Sequence, residues 1–446
     1  MDLDAIFKAY DVRGTVPAQL DEEAARRIGY AFARFTGADR IVIGRDARTS
    51  SPVLAAALGD GIRAAGGGVS DLGMVTTDMV YFASGHFDLP GAMVTASHNP
   101  KGYNGIKLCL AGAAPVGAES GLVEVRALAD DDLPLDIRGS YRSDDVLDAY
   151  VDHVLRVAGA ASIGALTVAI DGGNGVAGVA IPSIFDRIEA SLIGLYLDPD
   201  GTFPNHHPDP LRPENLVDIS ALIAREHPDL GVAFDGDADR AFFLDDAGDP
   251  LPGSTIIAMV AKWFLAKASG ASIVHNLICS RVVPEVVRAA GGTPVRTRVG
   301  HSYIKQVMAD TGAVFGGEHS GHYYFKDHYR ADSGILAMLV LLRIISEEER
   351  PLSELRTEFE PYAQSGEINM VVADTAVEID RVAAELQGGD RLDGYTADVG
   401  DGWFNLRPSN TEPVLRLNVE APDVRGVEKL VALVRAHIEE VPVGSS

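Results

Sequence analysis

The chain is poor in cysteine and in basic residues, and it contains no long apolar run. Cys109 and Cys279 are its only cysteines, far apart and without CxxC spacing, so we expect two buried thiols rather than a disulfide or a zinc site. No stretch of roughly 18 residues is apolar throughout, so no transmembrane helix is expected. The N-terminus carries Asp2 and Asp4 instead of a basic segment followed by an apolar one, which predicts no signal peptide and a cytoplasmic location.

Basic side chains are outnumbered by acidic ones. The 446 residues include 38 Lys and Arg against 64 Asp and Glu, a formal net charge of −26. This charge argues against nucleic acid or an anionic membrane as a partner. An anionic substrate is compatible with it only where cations are concentrated locally. The composition, 46% hydrophobic and 23% charged, is typical of a soluble globular protein, and the length suits about three or four domains.

Strand and helix patterns alternate through most of the chain. Residues 21–35 repeat apolar side chains at helical spacing, residues 40–44 form a short apolar run, and the alternation recurs over 166–234 and 253–317. Beyond Pro361, strand patterns separated by turns predominate. Such alternation is typical of parallel strands covered by helices. The sequence therefore predicts an α/β fold of three similar domains with mixed, mostly parallel sheets and a smaller C-terminal α+β domain, divided as 1–145, 146–250, 251–362 and 363–446.

Residues 235–240, DGDADR, place three carboxylates at alternate positions directly before an arginine. In an extended strand the three would crowd on one face and repel one another, whereas a tight loop can wrap their oxygens around a hard cation such as Mg²⁺. Arg240 then offers a guanidinium fork to a phosphate beside the metal. The alternative is an ordinary acidic turn, but the apolar run 230–234 delivers the aspartates to a strand end and favours the metal loop.

A second polar loop follows the predicted strand that ends near residue 95. Ser97 lies there beside His98, and Lys107 follows shortly after. A serine in this setting can act as a nucleophile or a phosphate carrier, although Asn-Pro at 99–100 is also a normal turn signal. The absence of a GxSxG elbow argues against an esterase.

A third loop, 316–322, mixes glycines with Glu318, Ser320 and His322. Its glycines allow close backbone approach, so a carboxylate and a hydroxyl can be presented to the hydroxyls of a sugar. The alternative is a structural hairpin.

A fourth loop, 407–413, combines one arginine with neutral hydrogen-bonding side chains: Arg407, Ser409, Asn410 and Thr411. Such a loop can cradle a phosphate, or it can be a polar turn between strands.

Two basic stretches, 8–13 and 45–48, admit a solvated surface or an ion pair between elements. His301, directly after a glycine, is interpreted as a residue at a helix start.

The four motifs together resemble the α-D-phosphohexomutase superfamily, and within it the bacterial phosphomannomutase/phosphoglucomutase group. The resemblance covers essentially the whole chain, with the motifs in the family's order and one in each predicted domain: TASHNP at 95–100, DGDADR at 235–240, GEHSG at 317–321 and RPSNTEP at 407–413. It implies four domains around a central cleft.

The resemblance also implies a role for each motif. Ser97 would carry a phosphoryl group, Lys107 and Arg240 would neutralise that group, and His98 beside Ser97 is also expected to be catalytic. Mg²⁺ would be held by Ser97 as phosphoserine together with Asp235, Asp237 and Asp239. The residues implied at the substrate are Glu318 and Ser320 on the sugar hydroxyls, Arg407, Ser409, Asn410 and Thr411 on the non-reacting phosphate, and Tyr10, Arg13, His301 and His322 at secondary positions.

The implied reaction interconverts hexose 1-phosphate and hexose 6-phosphate through a hexose 1,6-bisphosphate, which would also serve as activator. His319, Gly321 and His322 favour mannose, with glucose as a further substrate. The alternatives are a phosphoglucosamine mutase, a Mg²⁺-dependent sugar phosphatase and a non-catalytic sugar-phosphate-binding paralogue. The expected assembly is a monomer or a homodimer.

Overall fold

The structure, a computed structural model, describes residues 2–134, 136–409 and 414–441. These residues form four sheets, and we call the parts built on them the first to fourth units. No helix in the described ranges combines the length and the apolarity needed to cross a bilayer. The predicted α/β class is confirmed, with both parallel and antiparallel pairs in each of the first three sheets.

The first unit holds seven strands and four helices. The strands are β1 (Val12–Thr15), β2 (Arg40–Arg45), β3 (Gly68–Met74), β4 (Gly91–Val94), β5 (Tyr103–Leu110), β6 (Ala114–Pro115) and β7 (Tyr141–Ser143). The helices are α1 (Glu22–Thr36), α2 (Ser51–Ala64), α3 (Thr77–Phe87) and α4 (Val123–Leu128). The order is β1-β5-β4-β2-β3-β7, with β6 beside β5. Helix α1 begins where the Asp21 side chain accepts the Ala24 N–H and ends at Gly37, whose φ of 60° suits a residue without Cβ.

The second unit is smaller. Its elements are α5 (Leu147–Ala158), β8 (Thr167–Asp171), α6 (Ile181–Phe185), β9 (Ser191–Leu195), α7 (Val217–Glu226), β10 (Leu230–Phe234) and β11 (Ala241–Leu244). The order β11-β10-β8-β9 places the fully buried strand β10 inside the sheet, directly before the DGDADR segment.

The third unit repeats the arrangement. Its elements are α8 (Gly253–Lys267), β12 (Ser272–Asn276), α9 (Val282–Ala289), β13 (Thr293–Thr297), α10 (His301–Thr311), β14 (Phe315–Gly317), β15 (Tyr323–Phe325), β16 (Ala331–Asp332), α11 (Gly334–Glu348) and α12 (Leu352–Leu355). The order is β13-β12-β14-β15-β16. One large hydrophobic core runs from α3 of the first unit through the second and third units, so these parts pack as one body.

The fourth unit has an antiparallel sheet and a core of its own. Its elements are β17 (Ala363–Met370), α13 (Thr375–Glu385), β18 (Tyr395–Val399), β19 (Gly402–Pro408), β20 (Leu415–Ala421) and α14 (Val424–Arg435), with sheet order β17-β20-β19-β18. Its contacts with the third unit include polar ones at Arg281, whose Nη1 donates to the Asp401 carbonyl over 3.1 Å.

Candidate active site

The loop that carries Ser97 (the serine loop, residues 95–103) and the loop that carries the three aspartates (the aspartate loop, residues 235–240) meet between the first and second units. Ser97 follows β4 and Asp235 follows β10, and both lie at strand ends, where α/β sheets place ligands. Ser97 Oγ donates to Asp235 Oδ2 over 2.6 Å, across 138 residues of sequence. A Cβ at Gly236 would lie 2.5 Å from the Ser97 carbonyl oxygen, so glycine is required there. Ser97 itself has a φ of 50°, a left-handed conformation that costs free energy for a residue with a side chain.

The three aspartates form a compact buried group. One carboxylate oxygen from each of Asp235, Asp237 and Asp239 lies within 4.8 Å of the others. The Oδ1 atoms of Asp237 and Asp239 are buried, and the described residues offer them no hydrogen-bond partner. Unpartnered buried carboxylate oxygens are costly, and hard oxygen ligands are those that Mg²⁺ prefers. The donor set therefore fits a divalent cation.

Lys107 binds two of the same three aspartates. Its Nζ lies 2.8 Å from Asp237 Oδ2 and also contacts Asp239 Oδ2. Burial raises the pKa of Asp235 to about 7. Burial acts in the same sense on Asp237, but the Lys107 ammonium outweighs it and lowers the pKa of that carboxyl. The carboxylates consequently raise the pKa of Lys107 against the effect of its burial, which keeps its amine charged.

A second cation lies against the serine. Arg240 Nε donates to Asp235 Oδ2 over 2.9 Å, and its Nη2 lies 3.2 Å from Ser97 Oγ. His98 contacts the same guanidinium, and its Nδ1 is 3.1 Å from Ser97 Oγ. Burial first, and then the Arg240 charge, lower the pKa of His98 well below its usual value, so the imidazole is neutral near pH 7.

Sequence reasoning missed the contribution of α3. Thr77 Oγ1 donates to Asp237 Oδ2 over 2.7 Å, and its backbone N–H donates to the Asp237 carbonyl over 3.0 Å. The adjacent Asp78 accepts hydroxyl hydrogen bonds from Tyr150 and Ser333, each over 2.5 Å, and so joins the first three units. The residues Thr-Thr-Asp at 76–78 are a recognisable signal for the N-cap of α3. The partners of Thr77 and Asp78 could not be read from this signal, because they lie far away in sequence.

Arg48 is a second group with an unexpected position. One of the two interpretations of residues 45–48 is a solvated surface. For Arg48 this interpretation is wrong, because the side chain is fully buried and paired with Asp46. Its guanidinium donates to the carbonyls of the serine loop, over 2.7 Å to Ser97, 2.6 Å to Asn99, 2.9 Å to Pro100 and 3.1 Å to Tyr103. Arg48 therefore holds the backbone that presents Ser97. Arg13 adds a bond to the side chain of Asn99.

The third loop turns tightly between β14 and β15. Glu318 is buried at the turn, and Ser320 is half-buried at its tip. His322 Nδ1 lies 3.0 Å from Asp332 Oδ2, and Lys305 Nζ lies 2.8 Å from the other oxygen of that carboxylate. The neighbouring carboxylates raise the pKa of His322 against the effect of its burial.

Tyr10 and His301 flank this loop. The Tyr10 hydroxyl donates to the Val299 carbonyl over 3.1 Å, and its ring meets that of His301 edge-on at 5.4 Å. Burial lowers the pKa of His301 to about 3, and its buried Nδ1 has no hydrogen-bond partner within the part of the chain that the structure describes.

The fourth loop is described in part. Arg407 is the second-last residue of β19, is buried, and donates from Nη2 to Glu367 Oε2 over 2.9 Å. Arg416 Nε lies 3.3 Å from the other oxygen of Glu367. Ser409 N–H donates to the Val414 carbonyl over 2.9 Å. Asn410 and Thr411, both predicted phosphate ligands, lie outside the described residues.

The fold and these loops define a class of protein, the isomerases that move a phosphoryl group within one substrate. Four family models match in order along the chain. They are the phosphoglucomutase/phosphomannomutase alpha/beta/alpha domains I, II and III, at 4–129, 148–248 and 252–362, and the C-terminal domain at 367–437.

Individual relatives agree with the family models. A phosphomannomutase of Salmonella montevideo is 42% identical over 430 residues, covering 93% of this chain and 94% of that protein. A phosphohexose mutase of Xanthomonas campestris is 40% identical over 423 residues, with the same two coverages. A crystal structure of a phosphoglucomutase/phosphomannomutase family protein from Burkholderia thailandensis superposes with a TM-score of 0.90 at 35% identity, covering 98% of this chain and 97% of that one. The chain belongs to the phosphoglucomutase/phosphomannomutase family.

Proposed function

We propose that the protein interconverts hexose 1-phosphate and hexose 6-phosphate, with mannose phosphate as its preferred substrate and Ser97 as the phosphoryl carrier. The geometry around Ser97 Oγ carries the proposal, because Asp235 Oδ2 lies at 2.6 Å and the Arg240 guanidinium at 3.2 Å from this one buried oxygen. The family relatives named as phosphomannomutases support the choice of sugar.

The proposed metal is Mg²⁺, held by Asp235, Asp237 and Asp239 together with an oxygen of phospho-Ser97. When bound, it would supply charge neutralisation to the phosphoryl oxygens. The two unpartnered Oδ1 atoms of Asp237 and Asp239 support this assignment.

The protein's own side chains would supply the rest of the catalysis of phosphoryl transfer. Phosphoryl transfer passes through a loose transition state, so positioning and charge neutralisation supply most of the catalysis. Arg240 and Lys107 bring two positive charges to the serine and the aspartates, against a chain charge of −26. The attacking sugar hydroxyl would form a bond to phosphorus as the bond from phosphorus to Ser97 Oγ breaks, and the proton that the sugar hydroxyl loses would restore the hydroxyl of Ser97. The second half-reaction reverses these steps with the other end of the bisphosphate.

Substrate recognition would be divided between two loops. Glu318, Ser320 and His322 would contact the sugar, while Arg407 and Ser409, joined by the predicted Asn410 and Thr411, would hold the phosphate that is not reacting. Tyr10, Arg13 and His301 would take secondary substrate positions, Tyr10 and His301 beside each other and Arg13 beside Asn99 of the serine loop. A loop that binds the phosphate without contacting the sugar ring accepts a phosphate attached to either C1 or C6, as reorientation of the bisphosphate requires. The domain division, hexose 1,6-bisphosphate as activator, a cytoplasmic location and a monomeric or homodimeric state stay predictions.

The test combines mass and turnover. Purified protein incubated with glucose 1,6-bisphosphate is expected to gain one phosphoryl group, and Ser97→Ala is expected to gain none. Ser269→Ala, at an exposed serine, is the matched control and should behave like the wild type. Mannose 1-phosphate should be converted faster than glucosamine 1-phosphate. Inorganic phosphate as the main product would instead identify a phosphatase.

A further inference from the structure

The carboxylate of Glu318 is held by three donors from three different segments. Its Oε1 accepts the Gly300 N–H over 2.8 Å and the Asn276 side chain over 3.4 Å, and its Oε2 accepts the Tyr324 hydroxyl over 2.6 Å. Glu318 is only 2% exposed. Among the described residues, Tyr324 makes the shortest of the three bonds and is the only donor to Oε2.

The number of donors limits what Glu318 can still accept. An ionised carboxylate has about four lone-pair sites, and three are directed at groups of the protein. Tyr324 restrains Oε2, and without its bond the carboxylate is held through Oε1 alone. The free direction is then less closely fixed, because the last torsion of the side chain is broad and roughly two-fold.

Tyr324 is itself immobilised. It is fully buried and packs with Val274, Ile304 and Met308 in a small core between the third sheet and α10. Its ring is near-parallel to that of His322, at 26° and a centroid distance of 6.2 Å. Burial, reinforced by the Glu318 charge, raises the pKa of Tyr324 well above 10, so its hydroxyl stays a donor at any working pH.

We propose that Tyr324 is a positioning residue that orients Glu318 and thereby sets how strongly the enzyme distinguishes the hydroxyl pattern of its hexose. This inference rests on the proposed function, since it assigns the sugar-reading role to Glu318. A site built to hydrogen-bond one hydroxyl rejects an analogue that lacks it, because the buried polar group is left unpaired. Loosening the carboxylate should therefore lower selectivity as well as activity.

The strand supplies a matched control beside Tyr324. Side chains alternate across β15, so Tyr323 points to the opposite face and packs into the large core that includes Phe243. The described residues give its hydroxyl no hydrogen bond, and it is 1% exposed. Tyr323→Phe and Tyr324→Phe each remove one oxygen from neighbouring buried rings.

The experiment compares kcat/KM of wild type, Tyr324→Phe and Tyr323→Phe on mannose 1-phosphate and on its 3-deoxy and 4-deoxy analogues. Tyr324→Phe is expected to lose about tenfold on the parent sugar, the size of a hydrogen bond to a charged group. It should lose less than about threefold on whichever analogue lacks the hydroxyl that Glu318 reads, while Tyr323→Phe stays within about twofold throughout.

Two results would overturn the inference while leaving the proposed function intact. One is an active wild type with Tyr324→Phe unchanged on every sugar. The other is an equal loss on the parent and both analogues, which is the signature of a merely structural role. A wild type that converts none of the sugars would overturn both proposals.

A second variant keeps the inference testable if Tyr324→Phe does not fold. Glu318→Gln retains the shape of the side chain but replaces one carboxylate oxygen by an NH2 group. The single oxygen that remains cannot both accept from Tyr324 and present to the sugar the acceptor face that Glu318 presents. It should lose selectivity between the parent and the same deoxy analogue. If it loses equally on all three sugars, Glu318 reads no hydroxyl and the inference fails.

Discussion

Arg48→Met should show how much the protein depends on the buried clamp behind the serine loop. The substitution keeps most of the apolar stem and removes the guanidinium. It therefore deletes the ion pair with Asp46 and the four hydrogen bonds to the loop carbonyls.

The pKa shifts of Asp46 and Arg48 indicate how burial and mutual attraction balance in the stability of this ion pair. Burial raises the pKa of Asp46 and lowers the pKa of Arg48, so for both partners the loss of solvation outweighs their mutual attraction. A pair of this kind adds little net stability, yet removing one partner leaves the other uncompensated at a cost of about 3–5 kcal/mol. Removing both charges, in Asp46→Asn with Arg48→Met, should cost less than Arg48→Met alone.

The effect on turnover should be larger than the effect on folding. Ser97 has a strained φ of 50°, and Arg48 binds its carbonyl directly. A displacement of about 1 Å at a reacting group can cost about a hundredfold in rate, so we expect kcat to fall by that order while KM changes little.

The assay is phosphohexomutase turnover together with the apparent Tm of the wild type and the two variants. Hydrogen exchange across β4 and β5 reports on the first unit separately, because a chain of several domains does not unfold as one unit. A wild-type kcat in Arg48→Met would refute the clamp. A double variant less stable than Arg48→Met would refute the energetic argument.

Three further predictions concern other buried or clustered charges. Asp237→Asn should lower turnover by at least about a hundredfold, because positioning and charge supply most of phosphoryl transfer; full activity in the coupled assay would contradict the assigned metal role. Burial raises the pKa of Asp78 to about 6 from 3.8, so the folded state holds its proton more tightly and stability should fall as pH rises from about 4 to 6. The change is up to about 3 kcal/mol, and Asp78→Asn should abolish it in urea melts at each pH. Glu367→Gln should lower KM by up to about fivefold, the worth of a partly exposed ion pair, because Glu367 binds Arg407 and would compete for it with the phosphate of the proposed substrate; an unchanged KM would contradict this competition.

The sequence predicted the parts of the site that stand directly after strands. Ser97, Asp235 and Glu318 each follow an apolar run in a different sheet, and α/β sheets place ligands at the carboxyl ends of their strands. Arg48 and Thr77 could not be assigned in this way, because their roles come from partners that local pattern does not reveal. Arg48 contacts a loop about fifty residues away, and Thr77 contacts Asp237 across 160 residues.

The hydrogen bond between Ser97 and Asp235 also has a consequence for how the protein is made. Ribosomes add about 5–20 residues per second, so the 138 residues between these two groups separate their appearance by roughly 7 to 28 seconds. The clamp of Arg48 lies wholly within the first unit and can form during that interval. The serine loop can therefore take its shape on the nascent chain before the aspartate loop has been synthesised. The aspartate loop, whose carboxylates repel one another, is made only after Lys107 and Thr77, the residues that bind it.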